Sequence, residues 1–447
     1  MPTGLQTAKP SLTPSSSQLH LKKELALFLV LFFTGTMWFY LYFIGPREKR
    51  HHPSPDEIKD THGDLFAPWF GARELLVNHR DPYRPEVTRE IQSEYYGKAL
   101  TGAANEPKDE QRFAYPAFVA FLFSPFLHMP FNTVRSIFVW LLPVITIATI
   151  PAWLRLVGVR VSAFLLVVVA AFTITAIPVA RGLNLQQLTL LVAGLLAACA
   201  VSLLNGRYFF AGVLLALTLA KPQMSVLLSA WLMFWTFSNW PERKRLFWGF
   251  FLTLGALCLA AEYILPGWIS KFVKGVIAYR QYAAGGSLLE SYLSGTPSLI
   301  LAGVLFVMAA FVCWRTRQQS AASLSFAFTF CAVLVISIFV VPALSSIFSQ
   351  VLLLPPLLLS LRTWDAMWRR DLRSRRACLL FAGAVFLPWG CAVITVAVAV
   401  LMPTVSLDRI WGLPLYSWQL IPFAILGFMI FALKDVFQEL QMTGTSR

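Results

Sequence analysis

Apolar runs close to the length of a bilayer-spanning helix recur along nearly the whole chain, and they leave few folds open to it. The hydrocarbon core offers no partner for backbone N–H and C=O groups, so a segment that crosses it must satisfy them internally, as a helix does. The runs lie near 25–44, 136–156, 162–180, 188–204, 208–220, 224–237, 246–265, 296–314, 323–341, 346–361, 377–402 and 418–433. Only 13% of the 447 residues are charged, against about 25% in a soluble domain. The expected fold is an all-α polytopic membrane protein with about twelve transmembrane helices and one long polar insertion after the first.

The net charge of +15 is distributed in a way that excludes a nucleic-acid patch. The positive residues sit in short loops between apolar runs: Arg155 and Arg160, Arg207, Arg243-Lys244-Arg245, Arg315 and Arg317, and a cluster from Arg362 to Arg376. With the spans above, all these loops fall on one side, which the positive-inside rule makes cytoplasmic. The alternate loops carry fewer cations: Arg181, Lys221, Lys271, Lys274, Arg280 and Arg409. The segment 114–130 is apolar but short, and Pro116 and Pro125 interrupt it. Read as interfacial or re-entrant, it leaves twelve crossings, both termini inside and the 45–112 stretch outside. Arg47, Lys49 and Arg50 run against this orientation, and 208–220 and 224–237 are short enough to form a hairpin tipped by Lys221-Pro222.

The resulting division is a disordered cytoplasmic segment 1–24, a retained signal anchor 25–44, an extracytoplasmic loop with interfacial or re-entrant helices 45–130, a multispan domain 131–434 and a cytoplasmic tail 435–447. The six cysteines lie in or beside apolar runs without a CxxC pair and read as packing residues. His51, His52 and His62 have no carboxylate spacing that completes a metal site, and no metal or other cofactor is expected.

Polar groups at membrane depth are costly, so they mark where chemistry concentrates. Four clusters fall on the outward side. Asp64, in Gly63-Asp64-Leu65-Phe66, is placed to act as a general base beside aromatics or to cap the helix that follows it; Asp56, Glu57 and Asp60 nearby read as solvated. Arg181-Gly182-Leu183-Asn184-Leu185-Gln186-Gln187 gathers amides and a guanidinium suited to phosphate or sugar hydroxyls, or forms a polar turn with a snorkelling arginine. Lys221-Pro222-Gln223 interrupts an apolar stretch, where an anionic phosphate or snorkelling would relieve the lysine. The stretch from Lys271 to Ser294, with Tyr279, Arg280 and Gly285-Gly286, suits a phosphate headgroup or a plain interfacial anchor.

Taken in order, these motifs resemble the bacterial glycosyltransferase family 87. An Asp is followed by an aromatic-containing helix and a Pro-Tyr (Asp64, Trp69, Phe70, Asp81-Pro82-Tyr83). Next come a Tyr-Pro segment with a second proline (Tyr115-Pro116 to Ser124-Pro125), a Gly-x-Asn opening a span (Gly182-Leu183-Asn184) and a Lys-Pro after a further apolar run (Lys221-Pro222). The chain departs from the family at Asn78-His79-Arg80, where a glycine is usual, and at Ser345 to Gln350, where many members carry a polar or charged residue.

The resemblance implies a GT-C type multispan fold and a polyprenyl-phosphate sugar as donor, mannose among the family's usual sugars. It implies a glycolipid or glycan acceptor at the extracytoplasmic face of the bacterial inner membrane. Asp64 becomes the catalytic base, Lys221, Arg181 and Arg280 the donor-phosphate contacts, and Trp69, Tyr83, Tyr115, Asn184, Gln187 and Tyr279 the substrate-binding residues. The competing reading is a lipid or small-molecule transporter, which twelve spans also suit; the long insertion after the first span favours the enzyme.

Overall fold

A computed structural model of the protein describes residues 16–51, 62–103, 106–107, 109–282, 286–402, 404 and 406–444, with side chains except at 16–23, 49–51, 279–282 and 434–444. All regular structure among these residues is helical. The chain begins with α1 (Ser16–Phe39), which runs through a π-helical turn, Tyr40–Ile44, into α2 (Gly45–His51). The polar insertion contributes α3 (Phe66–Leu76), α4 (Pro85–Tyr96) and the short α5 (Val119–Phe123). The body follows as α6 (Phe131–Val157), α7 (Ala163–Thr175), α8 (Ile177–Asn184), α9 (Leu188–Leu204), α10 (Tyr208–Leu217), α11 (Pro222–Phe237) and α12 (Trp240–Ile264). After α13 (Trp268–Tyr282) and α14 (Leu288–Tyr292) come α15 (Thr296–Thr316), α16 (Leu324–Val340) and α17 (Leu354–Arg370), the last preceded by a 3-10 turn, Ile347–Leu353. The chain closes with α18 (Leu372–Leu401), α19 (Leu413–Trp418) and α20 (Ile421–Gly444).

Every apolar run predicted from sequence is helical, and among the described residues seven helices are long and apolar enough to cross a membrane. The bent pair α7–α8 makes an eighth if it is one span. The other expected spans, α9, α10, α11 and α16, have 10 to 17 residues. At about 1.5 Å per residue they are shorter than the roughly 30 Å hydrocarbon core. α16 is nevertheless the centre of the bundle: fourteen of its seventeen residues are buried, as expected of a helix apolar on every side. α5 has five residues, so the 114–130 segment contains no spanning helix.

Two helices run past the expected boundaries. α1 starts at Ser16, so the end of the segment expected to be disordered is helical, and α20 runs to Gly444, through most of the expected tail. Both extend an adjoining apolar helix into polar sequence, where each added residue gains an intrahelical hydrogen bond without new nucleation. Asp56, Glu57, Asp60 and His52 lie outside the described residues.

Proline sets the breaks that shape the body. Pro178, at the start of α8, has no N–H to continue α7, and the chain turns by 60° there with Ala176 extended. Pro222 does the same after α10: the α region is disfavoured for a residue before proline, and Lys221 stands at φ −127°, ψ 82°. α10 then packs on α12 backbone to backbone. A Cβ on Gly212 would fall 2.2 Å from the Leu246 carbonyl oxygen, and one on Gly249 2.1 Å from that of Phe209. At the far end of α11, Arg243 donates to the carbonyls of Trp235, Arg317, Gln318 and Gln319 and stacks 3.7 Å over the Trp235 ring.

The insertion is a small helical layer with its own polar fastenings. Glu106 accepts from Lys98 Nζ at 2.9 Å and from the backbone N–H groups of Thr101, Gly102 and Ala103. The lysine contact and these N–H bonds lower its carboxyl from 4.5 to about 2. A lowered folded-state value contributes stability that is complete above the unfolded value and lost as pH falls through the folded one. The Thr101, Gly102 and Ala103 amides are therefore expected to lose exchange protection between about pH 4.5 and 2. In Glu106→Gln that pH dependence disappears.

Candidate functional site

The break at Pro222 turns the Lys221 side chain into the bundle, where the residue is only 7% exposed. A lysine at such depth costs roughly 2.5–3.5 kcal/mol if nothing compensates it. Here Nζ donates to Gln187 Oε1 at 2.6 Å and to Thr189 Oγ1 at 2.9 Å. It also lies 5.4 Å from the centre of the Phe348 ring and 5.9 Å from that of Tyr115, within cation–π range. Four segments distant in sequence thus meet at one ammonium group.

Asp64 reaches the same place from the insertion. Its backbone N–H donates to the Leu185 carbonyl at 2.7 Å, in the turn that carries Gln187. Gly63 makes the approach possible: its φ is +64°, and a Cβ there would sit 3.0 Å from that carbonyl oxygen. Leu65 takes the N-cap position of α3, directly after Asp64. The Asp64 carboxylate interacts electrostatically with both Lys221 and Tyr115. Desolvation, and after it the Asp64 charge, push the Tyr115 phenol well above its ordinary value, so the hydroxyl keeps its proton. Asp64 remains partly exposed. A carboxylate open to an incoming hydroxyl beside a buried ammonium group is an arrangement for moving a proton and steadying an anion.

The other predicted residues divide. Tyr83 donates from its hydroxyl to the Tyr115 carbonyl at 2.6 Å and so positions the Tyr115 segment. Trp69 is 3% exposed, gives its indole N–H to the Phe126 carbonyl and packs on Phe66 and Phe131, leaving no polar group for a ligand. Arg181, half-buried on α8, acts electrostatically on Tyr40 at the end of α1. Asn184, at the end of α8, is exposed. Tyr279 and Arg280 belong to α13, and their side chains lie outside the described residues. Lys271 of that helix pairs with Asp81 at 3.0 Å, which fastens α13 to the insertion. Among the described residues no group of three or more His, Cys, Asp or Glu side chains forms a metal site.

Sequence reasoning missed Thr189 and Phe348 as neighbours of Lys221. Thr189 was within reach of inspection, two residues beyond Gln187. Phe348 carried no local signal, because its place depends on how the Ile347–Leu353 turn packs on α8 and α9.

A family model described as glycosyltransferase family 87 matches residues 113–342, just over half of the chain. The chain belongs to glycosyltransferase family 87. A family 87 protein is a glycosyltransferase, and the apolar helices make this one a multi-pass membrane protein. The match includes Tyr115, Arg181, Gln187 and Lys221, begins after Asp64 and ends before Phe348, so the carboxylate and its loop join the family 87 segment through tertiary contact. Neither the curated proteins nor the solved structures gave a match.

Proposed function

We propose that the protein is an inverting glycosyltransferase that moves a sugar, mannose or a similar one, from a polyprenyl-phosphate donor to a hydroxyl of an envelope glycolipid or glycan. The reaction takes place at the extracytoplasmic face of the bacterial inner membrane, on a GT-C type body crossed about twelve times. The observation that carries this reading is the convergence of a carboxylate and a buried ammonium on one short turn, with Asp64 held by Leu185 and Lys221 by Gln187.

Asp64 takes the proton of the acceptor hydroxyl as the acceptor oxygen bonds to the anomeric carbon. The bond from that carbon to the phosphate oxygen breaks on the opposite face, its electron pair leaving with the phosphate, and the anomeric centre inverts. The donor is a phosphodiester and the leaving group a phosphomonoester, a weak base that needs no general acid. Cationic stabilisation of the developing charge is enough. An ammonium group has three N–H donors, and Gln187 and Thr189 take two of those on Lys221. The third is directed here to a phosphate oxygen, with Arg181 and Arg280 as further contacts. Tyr115, Asn184, Gln187 and Tyr279 are assigned to the substrate's polar groups. The basic loops supply the orientation through the positive-inside rule.

The test is transfer itself. Protein in nanodiscs, incubated with radiolabelled polyprenyl-phosphate hexoses and pentoses and a membrane lipid extract, is expected to move label from one donor into a new product of inverted configuration. Folded protein that transfers from none of them would exclude this reading in favour of transport.

A further inference from the structure

Gln186 has no role in the chemistry just described, yet it is the most constrained residue of the turn that holds both reactive groups. It is 2% exposed, and its φ is +52°, a left-handed conformation that side-chain-bearing residues seldom adopt. Its side chain runs back to α6, where Nε2 donates to the Arg135 carbonyl at 2.8 Å. The turn is closed on either side of it. The Gln186 N–H bonds the Leu183 carbonyl at 3.1 Å, and the Gln187 N–H bonds the Gly182 carbonyl at 2.8 Å.

The consequence lies in the two neighbours. Leu185 presents the carbonyl that receives the Asp64 N–H, and Gln187 presents the amide oxygen that receives Lys221. The left-handed residue between them sets the directions in which these two groups leave the turn. The clamp to α6 fixes the turn as a unit against the body, so a carboxylate from the insertion and an ammonium from the α10–α11 break share one reference point. We propose that Gln186 is a positioning residue that sets the separation of Asp64 and Lys221 while touching neither substrate nor reacting atoms. This rests on the reading that those two residues form the reactive site.

Glycine separates the proposal from a structural role. Glycine adopts φ +52° without strain, so Gln186→Gly relieves the backbone while it removes the side chain and its clamp to α6. If Gln186 merely helps the turn to fold, Gln186→Gly keeps both fold and activity. If it positions, the variant stays folded and monodisperse while kcat falls about 10- to 100-fold, the loss expected from a misplacement near 1 Å. Binding of polyprenyl-phosphate mannose, measured without acceptor, stays within about threefold, since Lys221 keeps its charge. Gln186→Glu, which cannot donate to the Arg135 carbonyl, should lose turnover with Gln186→Gly, and Gln186→Lys, which restores a donor there, should recover part of it.

Asp64→Asn is assayed in parallel. Inactive Asp64→Asn with wild-type turnover in Gln186→Gly would overturn the positioning role alone. Full transfer by Asp64→Asn would overturn the reading of the site, and the positioning role with it.

Discussion

Asp64→Asn is expected to lower kcat about 100- to 10,000-fold, the range that general-base catalysis contributes. The amide is nearly isosteric, and the contact that places the residue is its backbone N–H to Leu185, which the substitution leaves in place. Fold and donor binding should therefore persist while proton abstraction is lost. Asp64→Glu keeps the base but advances the carboxylate by one methylene, and it should retain a small, measurable rate. Initial rates with saturating donor, beside equilibrium binding of the same donor, separate these effects. Full activity in Asp64→Asn would move the base elsewhere, with Glu74 and Asp81 of the insertion the next to test. Glu74, however, is already engaged by Asn78 and Arg80, and Asp81 by Lys271.

Lys221→Met is expected to cost about 100- to 1,000-fold in kcat, the usual loss when a preorganised donor to a developing anion is removed. Methionine preserves most of the side-chain volume and deletes only the ammonium. Its removal deprives Gln187 Oε1 and Thr189 Oγ1 of their lysine donor, at about 1–3 kcal/mol for a buried group so stranded. Part of this is offset because no cation then has to be desolvated. The variant should fold with a modestly lower melting temperature. Lys221→Arg keeps the charge but is too long for the two contacts, so it should recover binding more than turnover. Wild-type turnover in Lys221→Met would assign phosphate stabilisation to Arg181 or Arg280 instead.

These two expectations rest on different kinds of legibility. Lys221 could be found from sequence because a charge inside an apolar stretch, followed by proline, is anomalous on both counts. Asp64 was one carboxylate among several in a polar insertion, and order along the chain singled it out more than any local property. Trp69 shows the opposite limit. The resemblance made it substrate-binding, and the fold gives its N–H to Phe126 and its face to Phe131. Gln186 and Gln187 looked alike in the sequence, yet a left-handed turn at the first sends one towards α6 and the other towards Lys221.

By itself the sequence determined that the apolar runs are helical and membrane-embedded, and that the apolar stretch is interrupted at Lys221-Pro222; the bend at Pro178, inside a run read as one span, appeared only in the structure. Those outcomes follow from local physics: lipid leaves backbone polar groups no partner outside the helix, and proline lacks an N–H and disfavours an α residue before it. Only the tertiary structure decided which polar side chains would meet. The meeting of Asp64, Tyr115, Gln187, Lys221 and Phe348 depends on how the insertion and the Ile347–Leu353 turn pack against α8 and α9. That packing is set by shape and close backbone approach between segments far apart in the chain, and no local pattern in either segment encodes it.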